Sequence, residues 1–480
     1  MKMKKFLAVV LASAMAMTVL AGCGAAPAAE APAADTATEE TAAPADEAPA
    51  AEEAAEETAA PADGDNVINL WSFTDEIPGM VDKFLEANPD FGYTVETTII
   101  ATTDGAYQPA LDQALAAGGK DAPDIYAAEA AFVLKYAQGD AADFAAAYED
   151  LGIDVAAELA DADIAQYTVD IGTRPADNKL VALGYQATGG AFIYRRSIAQ
   201  DTFGTDDPEE IAKIIGAGSG SWDDFFAAAE QLKAKGYGIV SGDGDIWHAV
   251  ENSSDKGWIE DGKLVIDPKR EAFLDLSKEL KDNGYHHDTQ DWQDAWFADM
   301  KKDGGVFGFF GPAWLINYTL APNAGEGDES SAGDWAVCAP PIGFFWGGTW
   351  VLANKDTTKA EAVGKIIDWI TLNCTEDGLQ YKWANGTLNG EGGTKDCVAS
   401  GTVMAMSNGE LDFLGGQNMF DAFVPANTYA NGKNLTQYDE TINQYWRDAV
   451  RGYTSGDLSR DEALALFKQN VADNLDVIVE

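Results

Sequence analysis

Residues 66–127 read NVINLWSFTDEIPGMVDKFLEANPDFGYTVETTIIATTDGAYQPALDQALAAGGKDAPDIYA, and strand-like and helix-like patterns alternate along them. Asn66–Ser72 is short and apolar, as a buried strand at the start of a fold should be. The loop Phe73–Pro78 separates it from Met80–Asn88, where apolar residues recur at helical spacing until Pro89 stops them. Tyr93–Ile100 is β-branched and reads as a second strand. Tyr107–Ala117 reads as a helix closed by Gly118-Gly119, and Asp124–Ala127 as a short strand after a proline. Such alternation predicts an α/β fold with a mainly parallel sheet and helices on both faces. In sheets of that kind the ligand lies beyond the carboxyl ends of the strands.

Working outward, Ser221-Trp222-Asp223-Asp224 predicts a helix running to about Lys235, with Ser221 as N-cap and acids in the first turn. Glu271–Asn283 is a further helix ended by Gly284. Thr358–Asn373 is amphipathic, and Leu458–Leu475 forms a closing helical region with Ser459 and Asp461 near its start. Residues 67–480 number about 410, too many for one typical core, so two lobes are expected.

The amino-terminal end has a different character. Lys2, Lys4 and Lys5 precede the apolar run Phe6–Leu20, which suits a removable signal peptide of residues 1–22 and is short for a membrane span. Leu20-Ala21-Gly22-Cys23 matches the bacterial lipobox, in which cleavage leaves Cys23 as a lipidated amino terminus; two or more acyl chains there would anchor the chain stably. Residues 23–66 then consist almost wholly of Ala, Glu, Pro, Asp and Thr, with twelve acids and no base between Glu30 and Asp65. With no large apolar side chains to bury, that stretch predicts an extended, disordered tether.

Removing residues 1–22 takes away three lysines and no acid, leaving 28 Lys plus Arg against 80 Asp plus Glu, a net charge near −52. Nucleic-acid binding needs the opposite sign and is excluded. An anionic membrane surface should repel the chain, so the lipid at Cys23 is its expected hold on the membrane. Cys338, Cys374 and Cys397 cannot all pair within one chain; Cys374 with Cys397 is one possible bridge.

Several ordered segments together resemble the extracellular solute-binding proteins of the maltose-binding-protein type. They are Leu70-Trp71-Ser72-Phe73, the helix ending in Asn88-Pro89, and Ala122-Pro123-Asp124-Ile125-Tyr126. There follow the crossover 180–196 (LVALGYQATGGAFIYRR), Ser221-Trp222-Asp223-Asp224-Phe225, and 308–314 (GFFGPAW). Ala339-Pro340-Pro341 with Gly347-Gly348-Thr349-Trp350, and the closing pattern Tyr445–Asp461, complete the series. One departure is Arg195-Arg196 after Tyr194, where the family often continues with Asn.

The resemblance implies a two-lobed, periplasmic-binding-protein-like α/β fold (type II) whose discontinuous lobes are joined by a hinge. Residues 67–186 plus 340–397 would form lobe 1, and 187–339 plus 398–480 lobe 2, with the glycine-rich stretch 386–405 left open between them. It further implies a monomeric binding protein, not an enzyme, with no cofactor and no metal. That protein would capture an oligosaccharide, maltodextrin-like or other, and deliver it to the transmembrane permease subunits of an ABC importer. Its place would be the extracellular face of a cell membrane, lipid-anchored, in a Gram-positive bacterium. Another polar solute, such as a polyamine or a peptide, is an alternative ligand. A lipid-anchored glycan-active enzyme and a sensory or adhesive lipoprotein are further alternatives.

Sugars present polar edges and apolar C–H faces, so a sugar site needs aromatic platforms and planar polar groups. Trp71, Trp314, Trp346 and Trp350 fall on segments that line the cleft in similar proteins, with core packing as the competing role. Trp247, Trp292, Trp296 and Trp383 are weaker candidates. For the hydroxyls, Asp75 and Glu76 follow the first strand and Glu129 follows the Asp124 strand. Tyr185, Gln186 and Thr188 lie at the crossover, and Gly348 precedes Trp350. Asp124 is expected to cap local backbone. With only His248, His286 and His287 present, histidine triads and zinc sites have few options. Asp243 and Asp245 hint at calcium, but the full EF-hand loop is missing. No Walker-type phosphate loop occurs, so the ATPase of an importer would be a separate polypeptide.

Overall fold

The computed structural model describes residues 66–102, 105–390 and 392–480. The signal segment 1–22, Cys23 and nearly all of the 23–66 tether lie outside the described residues. Strand β1 (Val67–Ser72) alternates half-buried with buried side chains, turning Ile68, Leu70 and Ser72 inward. Helix α1 (Glu76–Ala87) packs Ile77, Met80, Val81 and Phe84 against it, starting a turn earlier than the apolar spacing predicts because Pro78 is tolerated in a first turn. Strand β2 (Thr94–Ile99), helix α2 (Tyr107–Ala117) and strand β3 (Ile125–Glu129) follow. β1 runs parallel to both neighbours, with Val67 opposite Thr94 and Leu70 opposite Ile125.

The chain continues through β4 (Ala182–Gly184), β5 (Ala191–Arg195), α3 (Asp223–Lys235), α4 (Gly244–Asn252), β6 (Gly308–Gly311), β7 (Trp335–Cys338) and β8 (Thr349–Ala353). Helices α5 (Ala360–Thr371), α6 (Asp439–Ser455) and α7 (Arg460–Asn474) complete the elements that matter here. The first sheet has the order β2-β1-β3-β8-β4, and β8 is antiparallel to both its neighbours. The second sheet, β6-β5-β7, is antiparallel throughout, unlike the mainly parallel sheet the sequence predicts. Its outer strands reach β5 through long excursions, so no local β-α-β crossover imposes a parallel direction.

Local chemistry explains several boundaries. Ser221 Oγ accepts the Asp223 N–H, but Trp222 holds the N-cap position of α3, so the expected serine cap is displaced by one residue. Ser459 caps α7 in a reciprocal arrangement with Glu462. Asp124 ties distant segments together rather than capping local backbone as expected: its carboxylate takes the Asn69 N–H, the Thr357 hydroxyl and the Lys359 ammonium. Cys338, Cys374 and Cys397 are all free thiols, so the bridge between Cys374 and Cys397 does not form.

Chain crossings join the two sheets. Gly189 bridges Phe345, and the Gly190 N–H donates to the Phe344 carbonyl, laying one crossing against another. A Cβ on Gly190 would stand 2.1 Å from the Phe344 ring, so this close approach requires glycine. Farther on, Asn427 Oδ1 accepts the Gly189 N–H and Gln437 Oε1 accepts the Asp140 N–H, which marks a third passage. Residues 398–400, placed by the sequence reading in the second lobe, pack on the first-sheet side. Ala399 N–H donates to the Tyr185 carbonyl, and Ser400 Oγ to the Ala162 carbonyl. The transfer comes later, where Gln417 exchanges two hydrogen bonds with Val337 of β7. Among the described residues no helix is long and apolar enough to cross a membrane.

Candidate functional site

Three adjoining cavities of about 230, 230 and 300 Å³ lie between the two sheets. Glu129 and Gly347 border two of them, while His248, Trp346, Glu440 and Asn443 border another two, so the three form one continuous cleft. From the first-sheet side come Glu76, at the start of α1, and Glu129, at the carboxyl end of β3. From the other side come His248 on α4 and Glu440, Asn443 and Arg447 on α6.

An aromatic corner stands in this cleft. The Trp346 ring meets Trp314 at 4.9 Å and 65°, Trp292 at 5.9 Å and 64°, and His248 nearly face-on at 4.5 Å and 23°. Trp314 is fixed by its indole N–H, which donates to the Trp346 carbonyl at 3.0 Å. Trp292 sits in the left-handed region at φ 66° and is 48% exposed. A large side chain in that conformation is strained, and such strain concentrates at functional sites.

The polar groups are tied into the frame. Glu129 Oε2 accepts the Ala131 N–H at 2.9 Å. Gln186 donates to the buried Asp396 at 3.0 Å, and Asp396 in turn takes the Cys397 N–H. Glu76 Oε1 is buried without a hydrogen-bond partner among the described residues. Asn443 donates to Glu251 and accepts from the Trp258 indole, which locks α6 to α4. Arg447 grips Asp291 with two bonds of 3.0 and 2.5 Å, holding that carboxyl below its ordinary range against the upward push of burial.

Of the sequence candidates, Glu76, Glu129, Gln186, Trp314, Trp346 and Gly348 all border the cleft. The others do different work. Trp350 is 1% exposed and donates its indole N–H to the Thr168 carbonyl, so it is core rather than platform. Tyr185 is fully buried edge-on against Trp383. Thr188 is buried and bonds the Gly347 carbonyl at 2.8 Å, stitching two crossings together. Trp71 packs beside the core around Tyr107, and Asp75 is an exposed residue at the N-cap of α1; neither borders these cavities. Among the weaker tryptophans, Trp247, Trp296 and Trp383 are buried, Trp247 lying in the wall of the third cavity, and Trp292 is the exposed one that opens onto the cleft. Asp245 is fully engaged by the Ser241 and Gly242 amides and the Trp296 indole.

Sequence reasoning missed the α6 face. Glu440, Asn443, Gln444, Arg447 and Arg451 recur at intervals of three and four, a polar stripe that a helical projection of Asp439–Ser455 displays. Nothing marks that stripe as facing a cleft rather than bulk water.

Burial pushes the Glu129 carboxyl up to about 7; the Ala131 amide pulls it down and the Glu440 charge adds to the rise. A carboxyl raised in the fold contributes its full stability below its ordinary 4.5 and loses it as pH rises through about 7. Glu129→Gln should therefore match the wild type near pH 4.5 and exceed it at pH 8 by about 1–3 kcal/mol. Urea unfolding at both pH values reads the difference; an equal gap at each would sink this assignment.

The profile of the bacterial extracellular solute-binding proteins matches residues 79–405. No curated protein matches the chain. Among solved structures, an extracellular solute-binding protein of family 1 is similar at 20% identity and TM-score 0.67, covering 85% of this chain and 99% of its own. The galacto-N-biose-/lacto-N-biose I-binding protein of an ABC transporter from Bifidobacterium longum, solved with lacto-N-biose, shares 16% identity at TM-score 0.63, covering 86% and 98%. The GacH receptor of Streptomyces glaucescens, described unliganded and with acarbose, shares 15% identity at TM-score 0.58, covering 85% and 98%. These likenesses show the two-lobed α/β fold.

Proposed function

The chain belongs to the bacterial extracellular solute-binding proteins, and on that premise we propose that it captures an oligosaccharide between its lobes and hands it to an ABC permease. The observation that carries this reading is the aromatic corner of Trp292, Trp314 and Trp346 facing Glu76, Glu129, Gln186 and Asn443 across one cleft. Flat apolar faces beside planar hydrogen-bonding groups suit the two surfaces of a pyranose. The sugar-bound neighbours of the same fold support that choice.

In this mechanism the open and closed arrangements are in equilibrium, and sugar favours the closed one because only there does it touch both lobes. Trp314 and Trp346 supply the stacking surface, while Glu76, Glu129 and Gln186 accept and donate to hydroxyls. Gly348 leaves room beside them. Cys23 carries the lipid that keeps the mature, monomeric protein at the outer membrane face, with residues 23–66 as its tether.

Calorimetric titration of the mature chain with a panel of neutral di- to tetrasaccharides should give saturable, one-to-one heat for at least one linkage. Heat from none of them, nor from amine-bearing oligosaccharides of the same lengths, would sink the oligosaccharide reading.

A further inference from the structure

The charge inventory of the cleft is lopsided. The cavity between α4, α6 and the end of β3 is bordered by Glu129, Glu251, Asp439 and Glu440, with His248 as the sole basic side chain. Glu251 is already answered by His248 at 3.5 Å and by the Asn443 amide. Asp439, 7% exposed, uses one carboxylate oxygen for Thr436 and leaves the other buried with no partner among the described residues. Neither Glu129 nor Glu440 has a Lys, Arg or His within ion-pair distance among the described residues. Of the guanidiniums nearby, Arg447 is committed to Asp291 and Arg451 to Asp448, while the buried Arg270 answers part of the charge of Asp439 and Glu251, leaving Glu129 and Glu440 as the pair without a cation.

Glu129 and Glu440 approach from opposite lobes, so lobe closure brings like charges together, a repulsion relieved by a proton on Glu129 or by a positive group between them. A neutral sugar offers hydroxyl donors but leaves that charge uncancelled. An ammonium group offers three donors and one positive charge in the same volume. Trp346 and Phe345 border the same cavity and supply the flat apolar walls that a sugar ring, or a cation on it, would lie against.

We infer that the oligosaccharide held in this cleft carries a basic amine, an amino sugar whose ammonium sits between Glu129 and Glu440 within reach of Asp439. This deepens the oligosaccharide reading and rests on it. The amine bridges the lobes electrostatically, so part of the closing force comes from the ligand's charge rather than its hydroxyls.

A matched β-1,4 trisaccharide series tests it, with amine, acetamide or hydroxyl at carbon 2: the glucosamine trimer, N-acetylchitotriose and cellotriose. Calorimetry on the full mature chain should rank the amine at least tenfold above both others. The advantage should shrink as salt is raised from 20 to 500 mM, figures of roughly the span over which screening sets in. In Glu440→Gln, with its melting temperature checked against wild type, the amine's lead should fall below about threefold. Equal or better binding of the acetamide or hydroxyl trimer overturns the amine and leaves the oligosaccharide reading standing. Silence from all three sugars overturns the amine as well, and the oligosaccharide reading falls with it only when the di- to tetrasaccharide panel is also silent or spermidine alone binds.

Discussion

Trp346→Ala is expected to weaken oligosaccharide binding roughly 100-fold, about 3 kcal/mol, the largest effect of any single change in the cleft. Its ring is the one surface common to the aromatic corner and to the acidic cavity, touching Trp314, Trp292 and His248 at once. Half-buried, it gives up limited core packing when truncated, and its carbonyl still accepts the Trp314 indole N–H. The loss should therefore appear in affinity rather than in folding. Trp346→Phe, which keeps a flat apolar face, should recover most of it. Calorimetry giving an unchanged Kd for the alanine variant would remove Trp346 from the site.

Trp350→Ala should do the reverse. The residue lies four positions away, yet it is 1% exposed, bonded to Thr168, and packed under the glycine turn of the cleft. Gly348 has φ +113°, and a Cβ there would come within 3.1 Å of the Trp350 ring, so turn and ring are fitted to one another. Emptying the ring's place removes a large buried surface and leaves a void, a change that costs about 3–5 kcal/mol. For a chain of this size that corresponds to a fall in melting temperature of roughly 3–6 °C. Affinity measured well below the transition should suffer less than in Trp346→Ala. A variant that melts like the wild type but binds weakly would mean that Trp350 is a platform after all.

The contrast between these neighbours shows what the sequence discloses. Periodicity locates β1, α2 and α5 within a residue or two, because each has an apolar face, and chemical stops such as Gly118 for α2 and the Ser459 cap for α7 fix the ends. Ordered landmarks likewise point to Trp314 and Trp346, and to the carboxylates after β1 and β3. They cannot separate Trp346 from Trp350, since β8 alternates sides only after Thr349 and the Gly347-Gly348 turn resets which way the chain faces. Nor can they orient α6: Asn443 and Glu440 point to the cleft because Trp258 and Glu251 fix the helix from within its own lobe. Such contacts join residues almost two hundred positions apart, beyond any local pattern. The antiparallel second sheet was hidden for the same reason, being set by where distant segments return.

Strand β4 pairs only with β8, and β8 separates it from β3 in the finished sheet. A chain leaving the ribosome therefore holds β4 as an unmatched edge through the synthesis of the entire intervening lobe. Pairings so distant in sequence form slowly. For a precursor exported unfolded behind the signal peptide that residues 1–22 lead one to expect, such a delay would be useful: the topology that builds the cleft would also keep the chain loose during passage.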